Sequence, residues 1–180
     1  MKKIIAHISA FMLILVGILS LASCSGSSFY SEWHSAGATI ESENIFKSVT
    51  VDEAETMLKD SSKNTFALFL GSSSDTAAVS NVTSMQYTAD VTNYTGKVYF
   101  LTITEIKKSQ SKMKEVKTKL GNVDVSEMGS GVYCVMYEDG KVKFNTANKT
   151  DDILNQFKVD KEISIIAVLE YVFEVCPVKE

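Results

Sequence analysis

Proline occurs once in this 180-residue sequence, at Pro177. Cis peptide bonds are essentially confined to proline, so no cis-proline turn is expected in the body of the chain. The three cysteines, Cys24, Cys134 and Cys176, are far apart, and no Cys-x-x-Cys pair exists. That removes the usual dithiol arrangement. Histidine appears only as His7 and His34, with no thiol beside His34, so no metal set is expected. No Gly-x-Ser-x-Gly elbow is present for a serine hydrolase. Basic residues are outnumbered, 18 Lys and Arg against 22 Asp and Glu, and they form no basic stripe. Nucleic acid is therefore not an expected partner. Nothing points to a cofactor.

What is present begins at the amino terminus. Lys2 and Lys3 precede a mostly apolar run from Ile4 to Leu21, the layout of a secretory signal. The run ends in Leu21-Ala22-Ser23-Cys24, which resembles the bacterial lipobox: an apolar residue, two small ones, then cysteine. The resemblance implies a diacylglyceryl group on the Cys24 thiol and cleavage that makes Cys24 the first mature residue. It places the protein at the cell membrane, on the extracytoplasmic face. Residues 1–23 are thus read as a lipoprotein signal peptide. Residues 24–46, opening "CSGSSFYSEWH", are read as the lipidated cysteine and a flexible tether, and residues 47–180 as one domain. Within the tether, Trp33 is expected to pack on the domain or at lipid headgroups. Outside the cytoplasm, Cys134 and Cys176 form an even set that allows one disulfide.

Along the domain, Thr50 with Glu53 is a capping box, and Val51, Ala54, Met57 and Leu58 share a helical face. "TFALFL" (65–70) and "KVYFLTI" (97–103) are short apolar runs that read as buried strands. Between them, Ser74 or Asp75 can cap a helix with Ala78, Val82 and Met85 inward. "EIKKSQSKMKEVKTKLG" (105–121) reads as one helix with a solvated lysine face. "GVYCVMYEDGKVKFN" reads as a hairpin turning at Asp139-Gly140. "KTDDILNQF" reads as a further helix capped by Thr150 or Asp151. "ISIIAVLEYVFEVC" is apolar nearly all round, which leaves helix and strand open, with its length favouring helix. A strand–helix–strand unit followed by a hairpin predicts an α/β fold: a mixed sheet flanked by helices, with an extra apolar carboxyl-terminal segment.

That order of elements, and the runs "FALFLG", "KVYFLTI" and "GVYCVMYEDGKV", resemble the thioredoxin-like family from about Val49 to Phe157. Small exported proteins associated with bacteriocin transport and immunity are similar in length and in the glycine that ends the first of these strands. The resemblance implies a functional loop after Gly71, at Ser72, Ser73, Ser74 and Asp75. It also implies thiols at the places held here by Asp75 and Ala78, and a cis-proline at the place held by Val132. Neither a carboxylate nor a methyl group attacks a disulfide, so the expectation is not an enzyme. It is a redox-inactive, membrane-anchored accessory protein that binds an envelope protein or peptide through the serine loop, with bacteriocin export or immunity as the specific version. Two alternatives are a thiol–disulfide enzyme using Cys134 and Cys176, and a structural surface lipoprotein without a specific ligand.

Overall fold

A computed structural model of the chain describes residues 26–60, 65–148 and 150–176. The elements are α1 (Gly26–Ser35), β1 (Phe46–Ser48), α2 (Val51–Lys59), β2 (Thr65–Gly71), α3 (Thr76–Val91), β3 (Val98–Thr102), α4 (Thr104–Lys107), α5 (Gln110–Lys119), β4 (Tyr133–Glu138) and β5 (Lys141–Asn145). A 3₁₀ turn (Asp152–Phe157), the two-residue strands β6 (Lys158–Val159) and β7 (Glu162–Ile163), and α6 (Ile165–Val175) complete them.

The five long-chain strands form one sheet in the order β1-β3-β2-β4-β5. β1 and β2 run parallel to β3, with Phe46 opposite Val98 and Phe69 opposite Phe100. β4 runs antiparallel to β2, and β5 antiparallel to β4. This is a thioredoxin-like mixed sheet with helices on both faces. Side chains alternate across it as a pleated strand requires. Phe66, Leu68, Leu70, Tyr99, Leu101, Val135 and Tyr137 face a layer that includes Ala54, Ile106, Val116 and Leu120. Ala67, Phe69, Val98, Phe100, Cys134 and Met136 face the opposite layer, which holds α1, α3 and α6.

Local signals explain most element ends. The Thr50 hydroxyl accepts the Glu53 amide at 3.2 Å while the Glu53 carboxylate accepts the Thr50 amide at 2.7 Å, so the capping box closes in both directions. Asp139 and Gly140, at φ 51° and 72°, make the tight turn of the β4–β5 hairpin. The apolar carboxyl-terminal segment is helical. Ser164 caps α6 by accepting the Ala167 amide, and Ile165, Val168, Leu169 and Val172 are buried. α6 packs on α3, β4 and the 3₁₀ turn, so it supplies part of one whole layer.

Three expectations are corrected. First, the described part of the 24–46 segment is not a flexible tether. Residues 26–35 are helix α1, Phe29 and Trp33 are 1% and 0% exposed, and Phe46 opens β1. Phe29 and Trp33 stand one helical turn apart and so enter the core on one face. Trp33 packs on the domain, where its ring meets Phe100 at 5.2 Å. Second, the 105–121 helix is two helices, because the Ser109 hydroxyl turns back to cap α5 instead of pointing to solvent. Third, the segment after Asp151 is 3₁₀, which stacks Leu154 and Phe157 over one another at i and i+3, both into the core.

Candidate functional site

Parallel strands β2 and β3 end side by side, Gly71 opposite Thr102, and the chain then turns through 72–75 into α3. Gly71 is dictated by packing. A Cβ there would lie 3.0 Å from the Phe100 ring, 3.1 Å from a Val132 methyl and 3.2 Å from the Trp33 indole. Three elements therefore close over this point: α1 through Trp33, β3 through Phe100, and the loop before β4 through Val132.

The turn is held by its own bonds and by neighbouring elements. The Asp75 amide donates to the Ser72 carbonyl at 3.0 Å. The hydroxyls of Ser72 and Ser74 lie 2.9 Å apart, and Ser72 also donates to Thr104 at 3.3 Å. The Ser73 amide donates to the Thr104 hydroxyl at 2.9 Å, and the Ser73 hydroxyl donates to the Glu32 carboxylate at 2.6 Å. The serine loop thus spends its hydroxyls on its neighbours, with Ser74 and Thr76 left exposed on the outer surface.

Asp75 does two jobs. Its carboxylate accepts the Ala77 amide at 3.0 Å and so caps α3. It also accepts the Ser130 hydroxyl and the Gly131 amide, each at 2.7 Å, across 55 and 56 residues of chain. Partial desolvation pushes its pKa up, but the bonds from Gly131, Ser130, Ala77 and Ala78 outweigh this and hold the carboxyl below its ordinary value. The next amide, Val132 N–H, donates to the Asn81 side chain at 3.0 Å. Gly131 has φ +102°, and a Cβ on it would stand 3.0 Å from the Asn81 oxygen. Loop 130–132 is latched to α3 by two side chains, and no peptide bond among the described residues is cis.

Beside the latch runs an open groove of about 330 Å³. α3 lines it with Asn81 and Ser84, the latched loop with Ser130 to Tyr133, β7 with Glu162 and Ile163, and the start of α6 with Ser164 to Ile166. Its walls combine the Asn81 amide, several hydroxyls and the Glu162 carboxylate with the apolar side chains of Val132, Ile163, Ile165 and Ile166.

The two cysteines do not join this site. Cys134 is fully buried in β4 and Cys176 is buried at the end of α6, and both are free thiols. The bridge that their even number allows is not formed. Instead Cys176 Sγ lies 3.9 Å from Met136 Sδ. Burial drives the Cys134 thiol well above its ordinary pKa, with Cys176 adding to the effect. Burial also pushes Cys176 up to about 11, aided by Glu138 and opposed by Lys143. A thiol with so little thiolate at neutral pH is a weak nucleophile.

Among the described residues, no group of three or more His, Cys, Asp and Glu stands close enough to hold a metal ion. His34 is exposed, with its ring against Tyr30 at 4.9 Å. Lysines of the α4–α5 region are largely engaged: Lys108 pairs with Glu105, Lys117 with Asp124, Lys119 with Asp52 and Glu115, and Lys107 donates to the Met128 carbonyl. No helix among the described residues is long and apolar enough to cross a membrane, and Cys24 lies outside those residues.

The turn from β2 into α3 is readable in the sequence, but its partners Glu32, Thr104, Ser130 and Gly131 are not, nor is the Asn81 bond to Val132. The only trace of them was the "MGSGV" stretch (128–132), whose Gly-Ser-Gly marks a loop. No protein-family model matches the chain, and no curated protein matches it.

Proposed function

We propose that the chain is a lipid-anchored, redox-inactive thioredoxin-like protein that binds a protein or peptide at the bacterial cell envelope. The observation that carries this is the pairing of Leu21-Ala22-Ser23-Cys24 with a turn from β2 into α3 that holds Asp75 and Ala78 where the resemblance implies thiols. Disulfide exchange needs a thiolate; the Asp75 carboxylate, engaged with Ser130 and Gly131, is not one, and Ala78 has no reactive atom. The groove beside α3 remains open and polar, and it is the place for an extended segment of a partner. Bacteriocin export or immunity is the specific version of this reading, and it rests on the resemblance in length and pattern.

The test is a deletion strain complemented with three forms of the gene. Under this proposal the native protein and a form with Cys134→Ser and Cys176→Ser restore bacteriocin release or self-protection equally. The Cys24→Ala form restores neither. Equal loss in both mutant forms points to thiol chemistry instead. No phenotype on deletion removes the bacteriocin version.

A further inference from the structure

The packing of α1 sets how far the domain stands from its anchor. Helix α1 begins at Gly26, two residues after Cys24. It is pinned from Phe29 to Trp33: Phe29 stacks on Phe46 at 4.7 Å and meets Phe100 at 5.1 Å, and Trp33 donates to Thr102 at 3.1 Å. The chain that returns from it is pinned too, by Thr39 on Thr83 at 2.9 Å and Ile45 on Gln86 at 3.1 Å. Freeing α1 would expose two fully buried aromatic rings, so the helix is part of the domain's rigid body. At its far end Glu32 holds Ser73 of the candidate loop.

Covalent lengths then bound the distance. A helix rises 1.5 Å per residue and an extended chain about 3.5 Å, so the loop lies no more than about 25 Å from the sulfur of Cys24. A flexible segment of the same 24–46 length could extend to about 75 Å. Resting on the reading of Cys24 as the lipidated residue, we propose that the anchor has no slack. The face formed by the 72–75 turn and the 130–133 loop then works only at the bilayer surface. Its partner is the extracytoplasmic segment of a protein in the same membrane, one that stands close to the lipid headgroups. A partner out of reach of that layer cannot be served by a domain held this way.

The experiment uses the full lipidated chain in vesicles carrying a headgroup acceptor dye. A donor is attached at Thr76→Cys, an exposed position at the start of α3. The native chain, whose two described thiols are buried, is carried through the same labelling as the blank. A second form carries a Gly/Ser insertion of about twenty residues before Gly26, enough to add a random-coil reach of about 25 Å. The proposal predicts that the donor passes most of its excitation to the headgroups in the lipidated chain, and that the insertion cuts this sharply. Equal transfer with and without the insertion, in a native chain whose mass shows a lipidated Cys24 at its start, overturns the proposal and leaves the anchor reading standing. A native chain that stays on the vesicles with residues 1–23 uncleaved and Cys24 unlipidated overturns the anchor reading, and the proposal with it.

Discussion

The Trp33 indole N–H donates to the Thr102 hydroxyl at 3.1 Å, joining residues 69 apart in the chain. This bond ties the amino-terminal helix to the end of β3, next to the candidate loop. The ring itself is fully buried against Phe29, Phe100 and Gly71. Trp33→Ala should therefore destabilise the whole domain by about 3–5 kcal/mol, the usual cost of emptying a buried aromatic site. Trp33→Phe should cost clearly less, since it keeps most of the packing and loses the bond. Denaturant unfolding of the two variants checks this. If Trp33→Ala unfolds like the native protein, α1 is not part of the core.

Asp75 makes the latch pH-dependent. Its carboxyl pKa is lowered below the ordinary 3.8 in the folded state. A lowered acid pKa stabilises the fold above the unfolded value, and that contribution is lost as pH falls through the folded value. The latch should therefore hold unchanged from neutral pH down to about 4, and then open as the carboxylate is protonated. Amide exchange at Gly131, measured at a series of pH values, reads it directly. Asp75→Ala should raise Gly131 exchange already at neutral pH, with little change at residues in β2. Exchange at Gly131 that does not respond to Asp75→Ala would mean that the bond is not made in solution.

Placing cysteines at Asp75 and Ala78 together should not create an efficient oxidoreductase. The pair would stand at the start of α3, where the helix amides favour a thiolate. Yet the loop would lose its latch, and Val132 would still pack over Gly71 in place of a receiving backbone. Insulin reduction by the double variant should be no faster than by the native protein. Rapid turnover would show that Val132 is no obstacle.

Removing Ile163 to Glu180 should abolish cooperative melting. The deletion takes away Ile165, Val168, Leu169 and Val172, all buried against the sheet and α3. Each contributes roughly 1.5–3 kcal/mol, set against a total stability of about 5–15 kcal/mol for an ordinary domain. A truncated chain that melts like the full one would show α6 to be dispensable.

Much of this fold was legible because its signals are local. The Thr50–Glu53 box, the Asp139-Gly140 turn and the apolar runs of β2 and β3 each announce themselves within a few residues. β1 did not, because three residues are too few to show a period. Helix α1 was hidden by the serines and glycine around Phe29 and Trp33; the one-turn spacing of those two rings was its only trace. The candidate loop was found from the strand-to-helix pattern, but what closes it was not. Asp75 to Gly131 and Ser73 to Glu32 are contacts between distant segments, and only the folded sheet brings them together.

The anchor and the free thiols are tested together by the intact mass of the protein extracted from cell membranes in detergent, alkylated without reduction after denaturation. The expected chain starts at Cys24, carries a diacylglyceryl group there, and takes up two alkyl groups, on Cys134 and Cys176. A chain that keeps residues 1–23 and alkylates at Cys24 would contradict the anchor, and one that takes up no alkyl group at Cys134 and Cys176 would contradict the free thiols.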